Sequence, residues 1–185
     1  MKKIFFSLRI LVLFLGIMSL NVSGTGNVAR AQFFFQNPLV GQPAPDFTLK
    51  MYDGNKVNMT KLRDNKSAII FFWATWCPHC RESLEGLNQN LAQIQKKGIK
   101  IILVDLGESE REVRAYVERN KVKVPIFLDE ESSLAENYGI IGVPTFFFVD
   151  PKGVVKAVEH SVPENYEEIL LPKDAKASQE NQKPS

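Results

Sequence analysis

Cysteine is almost absent from this 185-residue chain, which has two, Cys77 and Cys80. A disulfide framework of the kind that staples small secreted domains is therefore excluded. A bridge between residues three apart also closes too small a loop to stabilise a fold through the unfolded chain. No cysteine lies near residues 20–30, where a lipid-carrying one would be needed, and this excludes a lipoprotein. Charge of one sign is lacking too. The formal net charge is +2, and much of the excess sits in Lys2, Lys3, Arg9 and the C-terminal lysines, so nothing suggests a nucleic-acid surface. Nor is there an uninterrupted apolar run of the ~20 residues that a spanning helix needs, because Arg9 interrupts the extension of Ile10–Leu20.

What stands at the N-terminus has the form of an export signal. Basic Lys2 and Lys3 precede the apolar stretch, and small residues ending in Ala29-Arg30-Ala31 place a cut before Gln32, with an uncleaved anchor as the alternative. Residues 1–31 are thus expected to be a signal peptide and 32–38, with Phe33–Phe35 and Pro38, an extended lead-in. Residues 39–171 form one domain, since about 140 residues suit a single hydrophobic core. The polar, lysine-rich 172–185 is expected to be disordered.

Within the domain, Phe47–Tyr52 and Lys56–Met59 flank Asp53-Gly54-Asn55, a hairpin signal. Thr60 is placed to cap a short turn. Ala68–Trp73 is continuously apolar, as in a strand covered on both faces. Leu84, Leu87, Leu91 and Ile94 predict one helix that stops at Gly98, and Ile99–Val104 predicts the next buried strand. Ser109 is the expected N-cap of a helix with Val113, Tyr116 and Val117 inward. Val124–Leu128 reads as a short strand, Ser132–Tyr138 as a short helix before Gly139, and Thr145–Val149 with Val154–Val158 as a hairpin about Asp150–Gly153. Residues 163–171 close the domain as a helix. The order implies an α/β fold, a mixed central sheet with helices on both faces.

The chemistry is concentrated in Cys77-Pro78-His79-Cys80, directly after the apolar strand. Pro78 suits a first helical position, and residues three apart on a helix can open and close a disulfide with little backbone movement. The unpaired N–H groups and partial positive charge of a helix start favour thiolate, so Cys77 is assigned the nucleophilic attack and Cys80 the resolving one. A His79 imidazolium would stabilise that thiolate and make the couple more oxidising; the plainer alternative is a solvated helix-start residue.

With these residues in view, the sequence resembles the thioredoxin superfamily, and within it the TlpA/ResA-like extracytoplasmic thiol–disulfide oxidoreductases of the redoxin (AhpC/TSA) group. The resemblance covers about residues 39–170. It is carried by Val40–Phe47, Phe72–Arg81, Gly142-Val143-Pro144-Thr145 and Asp150–Gly153. It implies a thioredoxin-like fold with an insert over Leu106–Val124. It also implies a cis Val143-Pro144 bond facing the Cys77 sulfur, where Val143 and Pro144 pair with substrate backbone; residues alone would allow an ordinary trans proline. Trp73 and Trp76 are expected to shape the active-site surface, Trp73 by binding substrate, although a core role is open to it.

Three positions depart from the pattern. Phe71 stands where thioredoxins carry a buried aspartate. Ser83 replaces a glutamate common three residues after the second cysteine, with Glu82 and Glu85 nearby. Cys-Pro-His-Cys is the tetrapeptide of DsbA-type oxidases. The resemblance therefore implies a protein-disulfide reductase acting on extracytoplasmic thiols, such as those of apocytochrome c, and fed by a DsbD/CcdA-type membrane donor. A DsbA-like oxidase is the alternative. A monomer without metal or dissociable cofactor is expected, the dithiol itself carrying the electrons. Peroxidase activity is disfavoured because Thr75 and Ile70 break the peroxidatic spacing. Metal carriage by Cys77, Cys80 and His160, and a redox-inert scaffold, are the remaining alternatives.

Overall fold

The structure, a computed structural model, describes residues 36–171; the expected signal peptide, Phe33–Phe35 and the expected tail lie outside them. Among the described residues no helix is long and apolar enough to cross a membrane.

The fold is thioredoxin-like, built on a seven-stranded mixed sheet. Its strands are β1 (Thr48–Met51), β2 (Lys56–Asn58), β3 (Ser67–Trp73), β4 (Ile99–Leu106), β5 (Ile126–Asp129), β6 (Thr145–Val149) and β7 (Val155–Glu159). They lie in the order β2-β1-β5-β4-β3-β6-β7. All residues of β3 are buried, because it is central: it pairs in parallel with β4 and antiparallel with β6. This explains its unbroken apolar run, since side chains on both faces of a covered strand leave water.

Alternation along the strands separates two apolar layers. Ile69, Phe71 and Trp73 join Ile101 and Leu103 on one face. That face is covered by α2 (Pro78–Gln89), α3 (Leu91–Lys96), α4 (Glu110–Asn120) and α6 (Tyr166–Leu170), through Leu84, Leu87, Ile94, Val113, Val117 and Leu170. Ala68, Ile70 and Phe72 point the other way, against Met59 of α1 (Met59–Arg63) and Leu134 of α5 (Ser133–Asn137), with Phe47 and Tyr138. Phe71, in place of an aspartate, stacks on Phe146 with ring centroids 4.1 Å apart.

Several local expectations need correction. The cap of α1 is Asn58, whose side chain accepts from Lys61 N, while Thr60 donates from its backbone N and its hydroxyl to Asp46. The helix predicted across Leu84–Ile94 is two, α2 and α3, parted at Asn90. There the asparagine amide competes for the Gly86 carbonyl at 2.9 Å. Pro38, expected at the end of an extended lead-in, instead begins a turn over 38–41; the chain then lies along the sheet edge, with Gly41 N donating to Val155 O.

Ser109 caps α4 as expected, within a full capping box with Glu112. This helix, inside the expected insert, is the crossover that lets β4 and β5 run parallel.

Candidate active site

Cys77 is the N-cap of α2, with extended backbone (φ −83°, ψ 113°), and Pro78 takes the first helical position. The chain leaves β3 at Trp73, turns through Ala74–Trp76 and enters the helix with Cys77 N donating to Ala74 O. The Cys77 Sγ accepts the Cys80 backbone N–H at 3.1 Å, the bond a serine or aspartate cap would accept. Cys77 and Cys80 are disulfide-bonded, with Cα atoms 5.2 Å apart. Cys80 is fully buried and Cys77 4 % exposed, so Cys77 is the more accessible of the two. No acidic residue stands in the first turn of α2 to oppose a thiolate at its N-terminus.

The Val143-Pro144 bond is cis, and the Val143 carbonyl oxygen lies 3.8 Å from Cys77 Sγ. His160 Nδ1 is 2.8 Å from the Pro144 carbonyl, so the histidine considered as a metal ligand is engaged with this loop. Among the described residues no group of three or more His, Cys, Asp or Glu side chains could hold a metal.

The two tryptophans part company. Trp76 is 66 % exposed beside Cys77. Trp73, expected to bind substrate, is wholly buried and packs against Tyr116 at 5.3 Å between centroids. The cause is strand alternation: as the last residue of β3, Trp73 points into the layer beneath α2 and α4, and so supports the site from below. His79 faces outward, 3.4 Å from Glu82, and both side chains are more than three-quarters exposed. Glu85 accepts from Gln89 along the solvent side of α2.

Residues that sequence reasoning missed complete the site. Ile141, 97 % exposed, precedes the cis-proline loop; with Trp76 it is one of two large hydrophobic side chains left exposed among the described residues. Beneath the site, Glu108 is buried and accepts from Thr75 N and Thr75 Oγ1, each at 2.5 Å, while Arg81 Nη1 donates to Thr75 O at 3.2 Å. Asp105 is fully buried beside Glu108. Burial first, then the Glu108 carboxyl, push the Asp105 carboxyl up to about 9. A carboxylate at the end of the otherwise apolar Ile101–Val104 run was the available signal; its partner Glu108 was masked by the capping pattern of α4.

Residues 40–158 match the AhpC/TSA family. The thiol-disulfide oxidoreductase ResA of Geobacillus thermodenitrificans is 32% identical over 144 residues, covering 77% of this chain and 82% of that one. Among solved structures, the thioredoxin domain of a thiol-disulfide oxidoreductase from Bacteroides vulgatus superposes with a TM-score of 0.63 at 26% identity, over 70% of this chain and 94% of that one. StoA from Bacillus subtilis gives 0.58 at 25% identity, over 70% and 98%. A redox pair at a helix N-cap facing a cis-proline loop, and relatives of this kind across most of its length, lead to one conclusion: the chain belongs to the AhpC/TSA family and is a ResA-like protein-disulfide oxidoreductase.

Proposed function

We propose that the enzyme reduces disulfides of exported proteins outside the cytoplasm, with Cys77 and Cys80 as its redox couple. The observation that carries this reading is the seat of the Cys77 sulfur: at the N-cap of α2, accepting the Cys80 N–H, and close to the Val143 carbonyl. In the reduced enzyme the helix N-terminus stabilises the Cys77 thiolate. That thiolate attacks a substrate disulfide and forms a mixed disulfide; Cys80 then attacks Cys77, closing the internal bridge and releasing the reduced substrate. Trp76 and Ile141 offer an apolar rim to a polypeptide, and the Val143-Pro144 backbone offers it hydrogen bonds. Electrons are carried by the dithiol without a dissociable cofactor and are restored by a DsbD/CcdA-type membrane donor; apocytochrome c is the substrate class that the resemblance favours. The export signal over residues 1–31 supports the extracytoplasmic assignment.

Direction is the point on which the oxidase reading competes, and His79 is the residue that favours it. Its exposure and its Glu82 neighbour argue for the reductase, because solvent and a carboxylate both weaken the pull of an imidazolium on the Cys77 sulfur. The reduction potential of the couple against glutathione decides the matter: a value near ~−270 mV, as in thioredoxin, supports reduction, and one near ~−120 mV, as in DsbA, overturns it. In the same preparation, Cys80→Ser should accumulate a mixed disulfide at Cys77, visible by mass spectrometry. Failure to trap any adduct would remove the two-step mechanism.

A further inference from the structure

The β6–β7 ladder stops short of the redox loop, its last paired residues being Phe146 and Glu159. Before β6 lies the loop Gly142-Val143-Pro144, whose Val143 carbonyl oxygen is 3.8 Å from Cys77 Sγ. After β7 comes His160, the first residue past the ladder, and its side chain supplies a bond where backbone pairing has ended. His160 Nδ1 lies 2.8 Å from the Pro144 carbonyl oxygen. A carbonyl oxygen only accepts, so Nδ1 carries the proton.

The loop is held on both sides of Val143. Thr145, buried at the start of β6, donates its hydroxyl to the Gly142 carbonyl at 2.7 Å, and His160 donates to the Pro144 carbonyl. The carbonyls before and after Val143 are each fixed by a side chain, and the one between them faces the sulfur. Thr145 is itself anchored, because it pairs with Phe72 of the central strand. From that anchor back to the Val143 oxygen the backbone has few freedoms. The peptide units on either side of Pro144 are planar, and the proline ring fixes φ. What remains is ψ of Pro144, the torsion that sets the direction of the Pro144 carbonyl. A donor that holds this oxygen therefore also holds the Val143 carbonyl in its place beside Cys77.

We propose that His160 is a positioning residue for substrate docking: through Nδ1–H and the Pro144 carbonyl it fixes the Val143 backbone edge on which a substrate polypeptide pairs beside Cys77. The proposal deepens the dithiol reading above and rests on it. In this role His160 acts through the loop and not on the sulfur. Its loss weakens the capture of an extended backbone and spares attack on a disulfide that has no backbone to pair. The size of the effect is that of one hydrogen bond at the surface, about fivefold in substrate capture.

The test compares two disulfides in single-turnover stopped flow with the reduced enzyme: an oxidised peptide with chain on both sides of its disulfide, and Ellman's reagent, which has no backbone. His160→Ala should raise the half-saturating concentration of the peptide about fivefold with its limiting rate little changed. The first release of thionitrobenzoate from Ellman's reagent should keep its wild-type rate. His160→Asn, whose amide nitrogen stands where Nδ1 stands, should restore most of the loss, and His160→Gln, whose amide nitrogen matches Nε2, should not. Unchanged peptide kinetics in His160→Ala, an equal loss on both disulfides, or a loss that asparagine does not restore overturns the proposal and leaves the dithiol reading intact. Failure of that reading looks different: the wild-type enzyme would reduce neither disulfide, or Cys77→Ser would still reduce both. Nitrogen-15 spectra of the wild-type enzyme keep the proposal falsifiable if the variants do not fold. In the neutral ring of His160 the proton should be found on Nδ1; a proton on Nε2 overturns the assignment.

Discussion

Replacing Asp105 with asparagine should reverse in sign, from destabilising at low pH to stabilising at high pH. In the unfolded chain the carboxyl ionises near its ordinary value of 3.8, whereas in the fold burial and Glu108 push it up to about 9. Between these values the folded protein holds a proton that the unfolded chain releases. Unfolding is therefore favoured as pH rises, by about 1.4 kcal/mol per unit for this one group. The stability of the neutral form is fully present below about pH 4 and is lost progressively until about pH 9. From about pH 5 to about pH 8 the loss is about 4 kcal/mol, a large part of the ~5–15 kcal/mol that holds a domain folded. Asparagine keeps the shape but cannot ionise. Its buried amide adds a cost of about 1–3 kcal/mol that does not change with pH.

Urea titrations of the oxidised wild type and Asp105→Asn, followed by circular dichroism at a series of pH values, measure the difference directly. Titrating groups that do not touch Asp105 are common to both proteins and cancel, so the difference reports Asp105 together with its neighbour Glu108. The wild-type curve should fall relative to the variant by about 1.4 kcal/mol for each unit across this window. Parallel curves would show that Asp105 is ionised in the fold, and would refute the burial argument.

Three further outcomes follow from the packing. Arg63, buried, directs Nη1 to the carbonyls of Lys66, Asp150 and Pro151, tying α1 to the β6–β7 turn; Arg63→Met should cost about 3 kcal/mol in urea unfolding. It should leave the first reaction of Cys77 with Ellman's reagent unchanged. Tyr138→Phe removes the hydroxyl donor to Pro45 O, at 2.5 Å, from a fully buried ring, and should cost about 1 kcal/mol by the same measurement. Trp76→Ala should lower kcat/KM for a protein disulfide about tenfold, as expected for an exposed aromatic anchor; its rate with the small reagent should be nearly unchanged, and equal losses on both would argue that Trp76 acts on the sulfur and not on substrate.

Much of this site was legible before any coordinates. An apolar strand running into Cys77-Pro78-His79-Cys80 places a dithiol at a helix start, because strand end, proline at the first turn and three-residue spacing are local properties. Ser109 announced α4 for the same reason: an N-cap acts within one turn. Where local patterns were ambiguous, reading them failed. Apolar spacing carried one helix through Asn90, whose side chain parts it in two. The resemblance implies a substrate-binding Trp73 and leaves a core role open to it; as the last residue of β3 it points inward, and the core role is the one it takes.

A dithiol at the N-terminus of a helix and the α/β order of elements follow from residues within a few positions of one another, and local pattern is enough to specify them. What surrounds the dithiol follows from contacts distant in the chain. The approach of Val143 to Cys77 spans 66 residues, the clamp of Glu108 on Thr75 spans 33, and Asp105 meets Trp73 through parallel pairing of β3 with β4. These contacts depend on strand register and on which face is covered, and burial, not residue type, is what turns Asp105 from a solvated acid into a neutral one.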